Sequence, residues 1–395
     1  MGALQRKSIR RYLSAEIRSL SFETADKSVR GVERKINVRI LHLVNDAQTG
    51  GAQTLIEALG READERDQIH LLVLMGRGSL STRLEEVATS VSYVGMKQRD
   101  VFPARAVRAM NRLVKRHHIE LVHSHLMQSD LISLLSPLKI PRVSTVHTSG
   151  AHESRAISGL VGKVVARLSG RFNAVVACSA SAQRYAQRNN YRSQSSIILN
   201  GTQLDGWSVE NGVSSQNFVH LARWHEMKDH SNLFQALRIV RESFPAAALH
   251  CAGLNVDADN PAITELINSA GVDDAVTLHG SVQSVKPLFD TSRGLVISSS
   301  HGEALPMAGI EALSSGLPVV TTDVGDCAEL AIGNDYLVAP RQPEELAEAM
   351  LKLIQLDPAR YRAARAQARG RAEQRFDERV TAQKYRKLYQ QLLAA

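Results

Sequence analysis

The sequence predicts an α/β protein built from two doubly wound parallel sheets that face each other across a cleft. Three observations carry this. Short runs rich in Val, Ile and Leu alternate with helical patterns through most of the chain, which is the rhythm of parallel βαβ units. The rhythm pauses once, over "NGTQLDGWSVENGVSSQ" at 200–216, where Gly, Ser and Asn replace periodicity and mark a linker. It then restarts in the same form, and 395 residues suffice for two cores.

In chain order, "VRILHLV" at 38–44 is the first buried strand, and "TGGAQ" opens the helix behind it. The strands "IHLLVLM", "VSYV", "IELVHSH", "RVSTVHT", "NAVVACS" and "SSIILN" follow, with helices between most of them. After the linker come "NFVHLAR", "ALHCAG", "AVTLHG", "RGLVISS", "LPVVTT" and "DYLVAP". From 342 onward no strand is predicted. "EELAEAMLKLIQL" is one helix, and Pro358 starts another whose many arginines predict a solvated face. The expected divisions are an N-terminal extension 1–36, a first half 37–205, a second half 206–375 and a closing helix 376–395 that packs back on the first half.

Composition narrows the function classes. Hydrophobic residues at 44% and charged residues at 22% are a soluble globular balance. No apolar run approaches the ~18 residues of a membrane span, and no secretory leader is expected. Cys178, Cys251 and Cys327 are odd in number and far apart, so they predict core residues rather than a disulfide framework or a zinc site. A reducing cytoplasm fits. The net charge is +8, and residues 1–36 hold nine Lys/Arg against four Asp/Glu. There, Ile9, Leu13, Ile17 and Leu20 recur at helical spacing among Arg6, Lys7, Arg10, Arg11 and Arg18. Such a basic amphipathic helix suits an anionic membrane surface; a disordered or self-packed tail is the alternative. "KQRDVFPARAVRAMNRLVKRHH" reads as a second helix with a cationic face. No nucleic-acid partner is expected, because no helix-turn-helix, zinc finger or ribonucleoprotein motif accompanies the charge.

Ligands of open parallel sheets bind beyond the carboxyl ends of the strands, so candidate residues are sought there. Gly50 and Gly51 open a helix where backbone can approach an anion or a sugar. The pattern is neither G-x-G-x-x-G nor a P-loop, and a tight turn explains it equally. His123 and His125 share one face of a strand. His147, at a strand end beside Ser and Gly, is better placed for substrate. No carboxylate near His-x-His completes a metal set, and no metal is expected. Asp257 and Asp259 have D-x-D spacing in what reads as a solvated loop. In "HLARWHEMKDH", Arg223 and Lys228 are cations that suit a diphosphate; the alternative is a surface pair satisfied by Glu226 or Asp229.

The stretch "HGEALPMAGIEALSSGLPVV" at 301–320 predicts a helix beginning near Leu305, with Pro306 in its first turn. Its free N–H groups and positive end suit a phosphate. Glu303 precedes the helix and Glu311 lies within it. Eight helical residues rise about 12 Å, too far for the carboxyl pair of a retaining glycosidase, at about 5 Å. The spacing suits two ends of an extended ligand such as a nucleotide sugar; a capped helix with one solvated glutamate is the alternative.

Taken together, these motifs resemble the retaining GT-B glycosyltransferases of family 4, the "glycosyl transferases group 1" type, over about 38–393. The E-x7-E arrangement of Glu303 and Glu311, "ARWHEMKD", "TGGAQ", "STVHTSG" and "LNGTQLD" carry the resemblance. Ala222 and Ala304 depart from it where glycine is common; at Ala304 the extra methyl is expected to narrow the sugar pocket. The resemblance implies two Rossmann-like domains, acceptor side first and nucleotide-sugar side second. It implies transfer from a UDP- or GDP-sugar to a glycan or lipid-linked acceptor, retaining, without cofactor or metal, in cell-surface polysaccharide or glycolipid synthesis. By the same resemblance Arg223 and Lys228 hold the diphosphate and Glu311 the ribose. Glu303 and His147 then face the sugar. Gly50 and Gly51 lie near phosphate and acceptor, and N–H groups around Ala304, Leu305 and Met307 cradle sugar and phosphate. A non-catalytic GT-B subunit and a nucleotide-sugar 2-epimerase share the architecture. The carboxylate pattern of the epimerase is not found here.

Overall fold

The computed structural model describes residues 37–97, 103–150, 156–207 and 215–395. The membrane-helix expectation for 1–36 lies outside the described residues. The first lobe carries β1 (Arg39–Val44), β2 (Gln68–Val73), β3 (Ser90–Tyr93), β4 (Leu121–His125), β5 (Arg142–Val146), β6 (Ala174–Ala177) and β7 (Ser195–Ile197). They form one parallel sheet in the order β3-β2-β1-β4-β5-β6-β7. The second lobe carries β8 (Phe218–Leu221), β9 (Leu249–Ala252), β10 (Val276–Leu278), β11 (Gly294–Ile297), β12 (Val319–Thr322) and β13 (Leu337–Val338), ordered β10-β9-β8-β11-β12-β13. Central strands are buried on both faces because helices cover both sides of each sheet, and β8, β11 and β12 are rich in apolar residues. Ile40, Leu41, Leu43 and Val44 of β1 are all buried.

In each sheet the strand order reverses once, between β1 and β4 and between β8 and β11. Helices leave on opposite faces there, and the crevice beyond the strand ends is the place for a ligand.

The two lobes are tied by the last helices. Helix Pro358–Arg375 packs on the second lobe through Ala364, Ala368 and Ala372, and the chain breaks at buried Phe376. Asp377 caps the next helix, Glu378–Ala394, by accepting from Arg379 N at 2.9 Å. Ala382, Tyr385 and Tyr389 of that helix join the first-lobe core with Val38, Ile40 and Val143. The linker meets it at the same place: Thr202 N donates to Phe376 O at 2.9 Å, and a Cβ on Gly201 would lie 2.7 Å from Glu378 Cα. Arg61 stands beside this crossing. It donates at 2.7 Å to Glu378 and at 2.5 Å to Glu57, both buried, and Arg83 also reaches Glu57 at 2.8 Å. Arg61→Ala leaves Glu378 without its cation and is expected to cost about 3 kcal/mol, read as a lowered midpoint in urea unfolding.

The arginines of helix Pro358–Arg375 differ from the solvated face expected of them. Arg360 and Arg362 are exposed. Arg365 is buried and donates to Ser315 O at 3.2 Å, while Arg369 donates to Ser314 O at 2.5 Å and Leu204 O at 3.0 Å. The Ser314 and Ser315 carbonyls end helix Met307–Ser314, where backbone acceptors lack partners and the dipole is negative. The charged face therefore clamps the helix that the sequence singled out. Helix Ala104–Arg116 does show a cationic face: Ala106, Met110 and Val114 are buried, and Arg105, Arg108, Arg112, Lys115 and Arg116 are exposed. No helix among the described residues is long and apolar enough to cross a membrane. Cys178, Cys251 and Cys327 are free and buried.

Candidate active site between the lobes

The site begins where β8 and β11 end. After β8, His225 accepts from Met227 N at 3.2 Å and starts a single 3-10 turn, Glu226–Lys228. Asp229 takes a left-handed conformation and caps the following helix. After β11, Ser298 Oγ donates to Lys228 O at 2.7 Å and Ser300 N donates to Met227 O at 2.8 Å. The two loops are thereby stapled together, and the Lys228 ammonium pairs with Glu303 Oε1.

Ser299 Oγ donates to that same carboxylate oxygen at 2.6 Å. Burial pushes the Glu303 carboxyl up, but the Lys228 ammonium and the Ser299 hydroxyl outweigh it and hold the group below its ordinary value. Glu303 is thus a buried carboxylate kept ionised by a fixed cation. Neither Glu226 nor Asp229 pairs with Lys228. Arg223 is exposed and makes no hydrogen bond or ion pair among the described residues. Beneath them His220 and His230 are buried; burial lowers His220 to about 4, and its Nδ1 bonds Val296 O at 2.8 Å.

The helix after Glu303 runs Met307–Ser314, with Pro306 extended as its N-cap. It starts two residues later than expected. Residues 303–306 precede it, so a continuous helical rise does not set the distance from Glu303 to Glu311. Two glycines fix the approach. Gly302 has φ +78 and lies against Met227, and Gly325 has φ +63 with its Cβ position 2.0 Å from Glu303 O. Asp326 N donates to Ala304 O at 2.9 Å from the same turn. Gly325→Ala must push the Glu303–Ala304 backbone away as well as strain φ. The expected result is a loss of activity of about a hundredfold in a folded protein, checked by kinetics beside a thermal melt.

The first lobe closes over this turn. Ser149, two residues beyond His147, donates its hydroxyl to Glu303 O, and the Cβ position of Gly150 lies 3.2 Å from Gly302 Cα. The Cβ position of Gly51 lies 3.6 Å from Met307 Cγ and 3.7 Å from Asn200 Nδ2. Gly50 is extended, at φ −174, so its backbone does not require glycine. Ser181 N donates to Asp326 Oδ2 at 2.6 Å from the first lobe. Ala304 is buried in the apolar cluster of Val146, Cys178 and Ala182. Its methyl group thus packs against first-lobe residues. Leu305 is buried on the second-lobe side.

Glu311 is half-buried, and its carboxyl makes no hydrogen bond or ion pair among the described residues. Burial pushes its carboxyl up to about 7; Arg83 opposes this and Glu57 adds to it, both reaching from first-lobe helices. A carboxyl in this state gains from any ligand that donates hydrogen bonds to it.

Sequence reasoning missed several residues that the fold gathers here. Asn200 is buried with Oδ1 unpartnered. Ser299 precedes Glu303 by four residues in a plain serine run. His42 on β1 stands beside His123 and His125, and ring nitrogens of the three lie within 4.8 Å of one another, a spacing that could hold a metal ion. Spacing along one strand shows His123 and His125 but not a neighbour from another strand. His125 in turn contacts His147 at 3.2 Å. Asp257 and Asp259 remain on the loop after β9 and join no such cluster among the described residues.

Known proteins resemble this chain in sequence and in fold. Residues 49–205 match the family model described as "Glycosyltransferase Family 4", and residues 215–356 match "Glycosyl transferases group 1". EpsF of Bacillus subtilis, described as a glycosyltransferase, is 25% identical over 317 residues, covering 72% of this chain and 79% of its own. Glycogen synthase of Mycobacterium tuberculosis is 26% identical over 278 residues, covering 67% of this chain and 66% of its own length. Anabaena HepE, solved in complex with UDP-glucose, has the same fold with a TM-score of 0.77 at 20% identity, over 90% of this chain and 100% of HepE.

Proposed function

Because this chain belongs to glycosyltransferase family 4, of the glycosyl transferases group 1 type, we propose that it takes a sugar from a UDP- or GDP-linked donor. The acceptor is a glycan or a lipid-linked glycan, and transfer retains the anomeric configuration without a metal. The observation that carries the reading is the Lys228–Glu303 pair at the β8/β11 crevice, with Arg223 unpaired beside it. HepE, which shares the fold, was solved with UDP-glucose.

In this reading the second lobe holds the donor and the first lobe the acceptor. Breaking the anomeric C–O bond leaves negative charge on the departing diphosphate. Arg223, Lys228 and the first N–H groups of helix Met307–Ser314, with those of Ala304 and Leu305, stabilise that charge more in the transition state than in the ground state. Glu303 accepts from sugar hydroxyls and Glu311 from the ribose. His147 closes on the sugar from the first lobe, with Gly50 and Gly51 by the phosphates and the acceptor. The acceptor hydroxyl attacks from the leaving group's side, and a phosphate oxygen takes its proton. Lobe closure excludes water. The exposed cationic face of helix Ala104–Arg116 favours an acceptor at an anionic membrane surface. Polysaccharide or glycolipid synthesis is the role this implies.

The test incubates the full chain with a panel of UDP- and GDP-sugars and a membrane extract, and follows release of nucleoside diphosphate. Release from one donor that depends on the extract is expected. Nucleotide binding without turnover of any donor rejects the reading in favour of a non-catalytic subunit.

A further inference from the structure

Helix Ala180–Arg188 of the first lobe begins against the second lobe. Ser179 is its N-cap, and the Ser179 hydroxyl accepts from Ala182 N at 3.2 Å. That cap serves the third amide of the helix and leaves the second, Ser181 N, without a partner in its own turn. Ser181 is buried, and a buried N–H without an acceptor is costly. The acceptor comes from the other lobe: Ser181 N donates to Asp326 Oδ2 at 2.6 Å. A carboxylate at a helix start gains twice, from a charge-assisted hydrogen bond and from the positive end of the dipole. Arg184, one turn on, adds a looser pair at 3.6 Å to Asp326 Oδ1. Its side chain is more than half exposed, so that pair contributes little.

Asp326 gives nothing of its side chain to its own lobe. It stands before the 3-10 turn Cys327–Glu329 without capping it. Ser181 and Arg184 are the partners of its carboxylate among the described residues. Its backbone, by contrast, belongs to the candidate site. Asp326 N donates to Ala304 O at 2.9 Å, and Gly325 before it lies against Glu303 O with no room for a Cβ. One residue thus holds the Glu303–Ala304 stretch with its main chain and the first lobe with its carboxylate.

Two further first-lobe contacts converge on the same stretch. The Ser149 hydroxyl donates to Glu303 O, and Ala304 packs among Val146, Cys178 and Ala182. The partners of the Glu303 carboxylate, Lys228 and Ser299, both belong to the second lobe. Separating the lobes therefore releases the backbone of Glu303 and Ala304 and leaves the ion pair made.

We propose that Asp326 is a positioning residue: it latches the lobes through the start of helix Ala180–Arg188 and sets the Glu303–Ala304 backbone for transfer when they close. Its effect on transfer rests on the donor-site reading given above; the latch does not. When the lobes part, water reaches both the Ser181 N–H and the carboxylate. The contact then shifts a balance between open and closed lobes and leaves each lobe folded.

The test reads hydrogen exchange at the Ser181 amide in the full chain labelled with 15N and 2H. Helical bonding does not protect a first-turn amide, so its protection reports the contact with Asp326. Asp326→Ala is expected to speed exchange there about thirtyfold, the worth of a hydrogen bond to a charged group. Amides of β5 are expected to stay unchanged, which checks folding. Asp326→Asn keeps an acceptor oxygen and is expected to bring protection back to within about fivefold of wild type. With the donor that the nucleotide-sugar panel selects, Asp326→Ala is expected to lower kcat about tenfold and leave the Kd of the nucleoside diphosphate within about threefold. Asp326→Asn is expected to recover most of kcat. Unchanged exchange at Ser181 in Asp326→Ala overturns the latch. Faster exchange beside a wild-type kcat overturns the positioning role. So does a kcat that stays low in Asp326→Asn with Ser181 protected again, because the fault then lies in the local turn. A wild type that turns over no donor fails the donor reading alone, and exchange at Ser181 still decides the latch.

Discussion

Lys228→Ala is expected to reduce kcat about a thousandfold, with Glu303→Ala equally severe, while both variants keep a cooperative melt. Lys228 is the cation nearest the ionised carboxylate of the site, and the two share one buried ion pair. In the proposed reading, removing the lysine takes away a charge aimed at the leaving diphosphate. It also leaves Glu303 with only Ser299 as a side-chain donor, so burial then raises its carboxyl. In the same reading, removing the glutamate takes away the sugar contact, and it leaves Lys228 without its carboxylate partner. In wild type, the depressed Glu303 carboxyl contributes stability above its ordinary titration range. That contribution is lost as pH falls through the lower, folded value. In Lys228→Ala that acid-side dependence is expected to vanish from thermal melts taken over pH 3–7. Near wild-type turnover in either variant contradicts the assignment of that residue.

Nucleotide affinity is expected to rise with pH up to about 7 and then level off. In the ligand-free protein burial pushes the Glu311 carboxyl up to about 7. In the proposed reading, ribose hydroxyls donate to the carboxylate and not to the acid's own hydroxyl, so the bound form has the lower value. Binding therefore releases a proton below pH 7, and affinity falls there by up to about tenfold for each pH unit. For folding the sign is opposite to that of Glu303. A raised carboxyl costs stability as pH climbs from its unfolded value through about 7, and costs nothing below. Isothermal titration of UDP and GDP from pH 5.5 to 8.5 reads the binding effect, in two buffers of different ionisation enthalpy. Glu311→Gln is expected to bind about tenfold more weakly at pH 8 and to flatten the profile. A wild-type profile flat between pH 5.5 and 7 contradicts a ribose contact at Glu311.

Strand rhythm made the fold class legible, because strands covered on both faces are rich in apolar residues and helices must intervene. "VRILHLV" and "RGLVISS" needed no more than that. Candidate site residues were legible where they stand next to a strand end, as Lys228 and Glu303 do, and the structure brings these two together. What local spacing hid was pairing across the fold. His42 and His125 are 83 residues apart, and only sheet order brings β1 beside β4. The arginines of helix Pro358–Arg375 looked solvated because helical periodicity reports polarity and not which carbonyls lie opposite. Ser314 and Ser315 were those carbonyls. The helix start was misplaced by two residues because Pro306 fits either an N-cap or a first turn. That small error had a consequence: a distance argument built on eight helical residues does not hold when the first four are not helical.

The most direct test is a structure of the full chain with UDP or GDP bound. The expected result is a diphosphate held by Arg223, Lys228 and the start of helix Met307–Ser314, with the ribose hydroxyls on Glu311 and the space beside Glu303 and His147 left for the sugar. A nucleotide seated elsewhere, with Lys228 and Glu303 still paired away from it, contradicts the assignment of this crevice as the donor site.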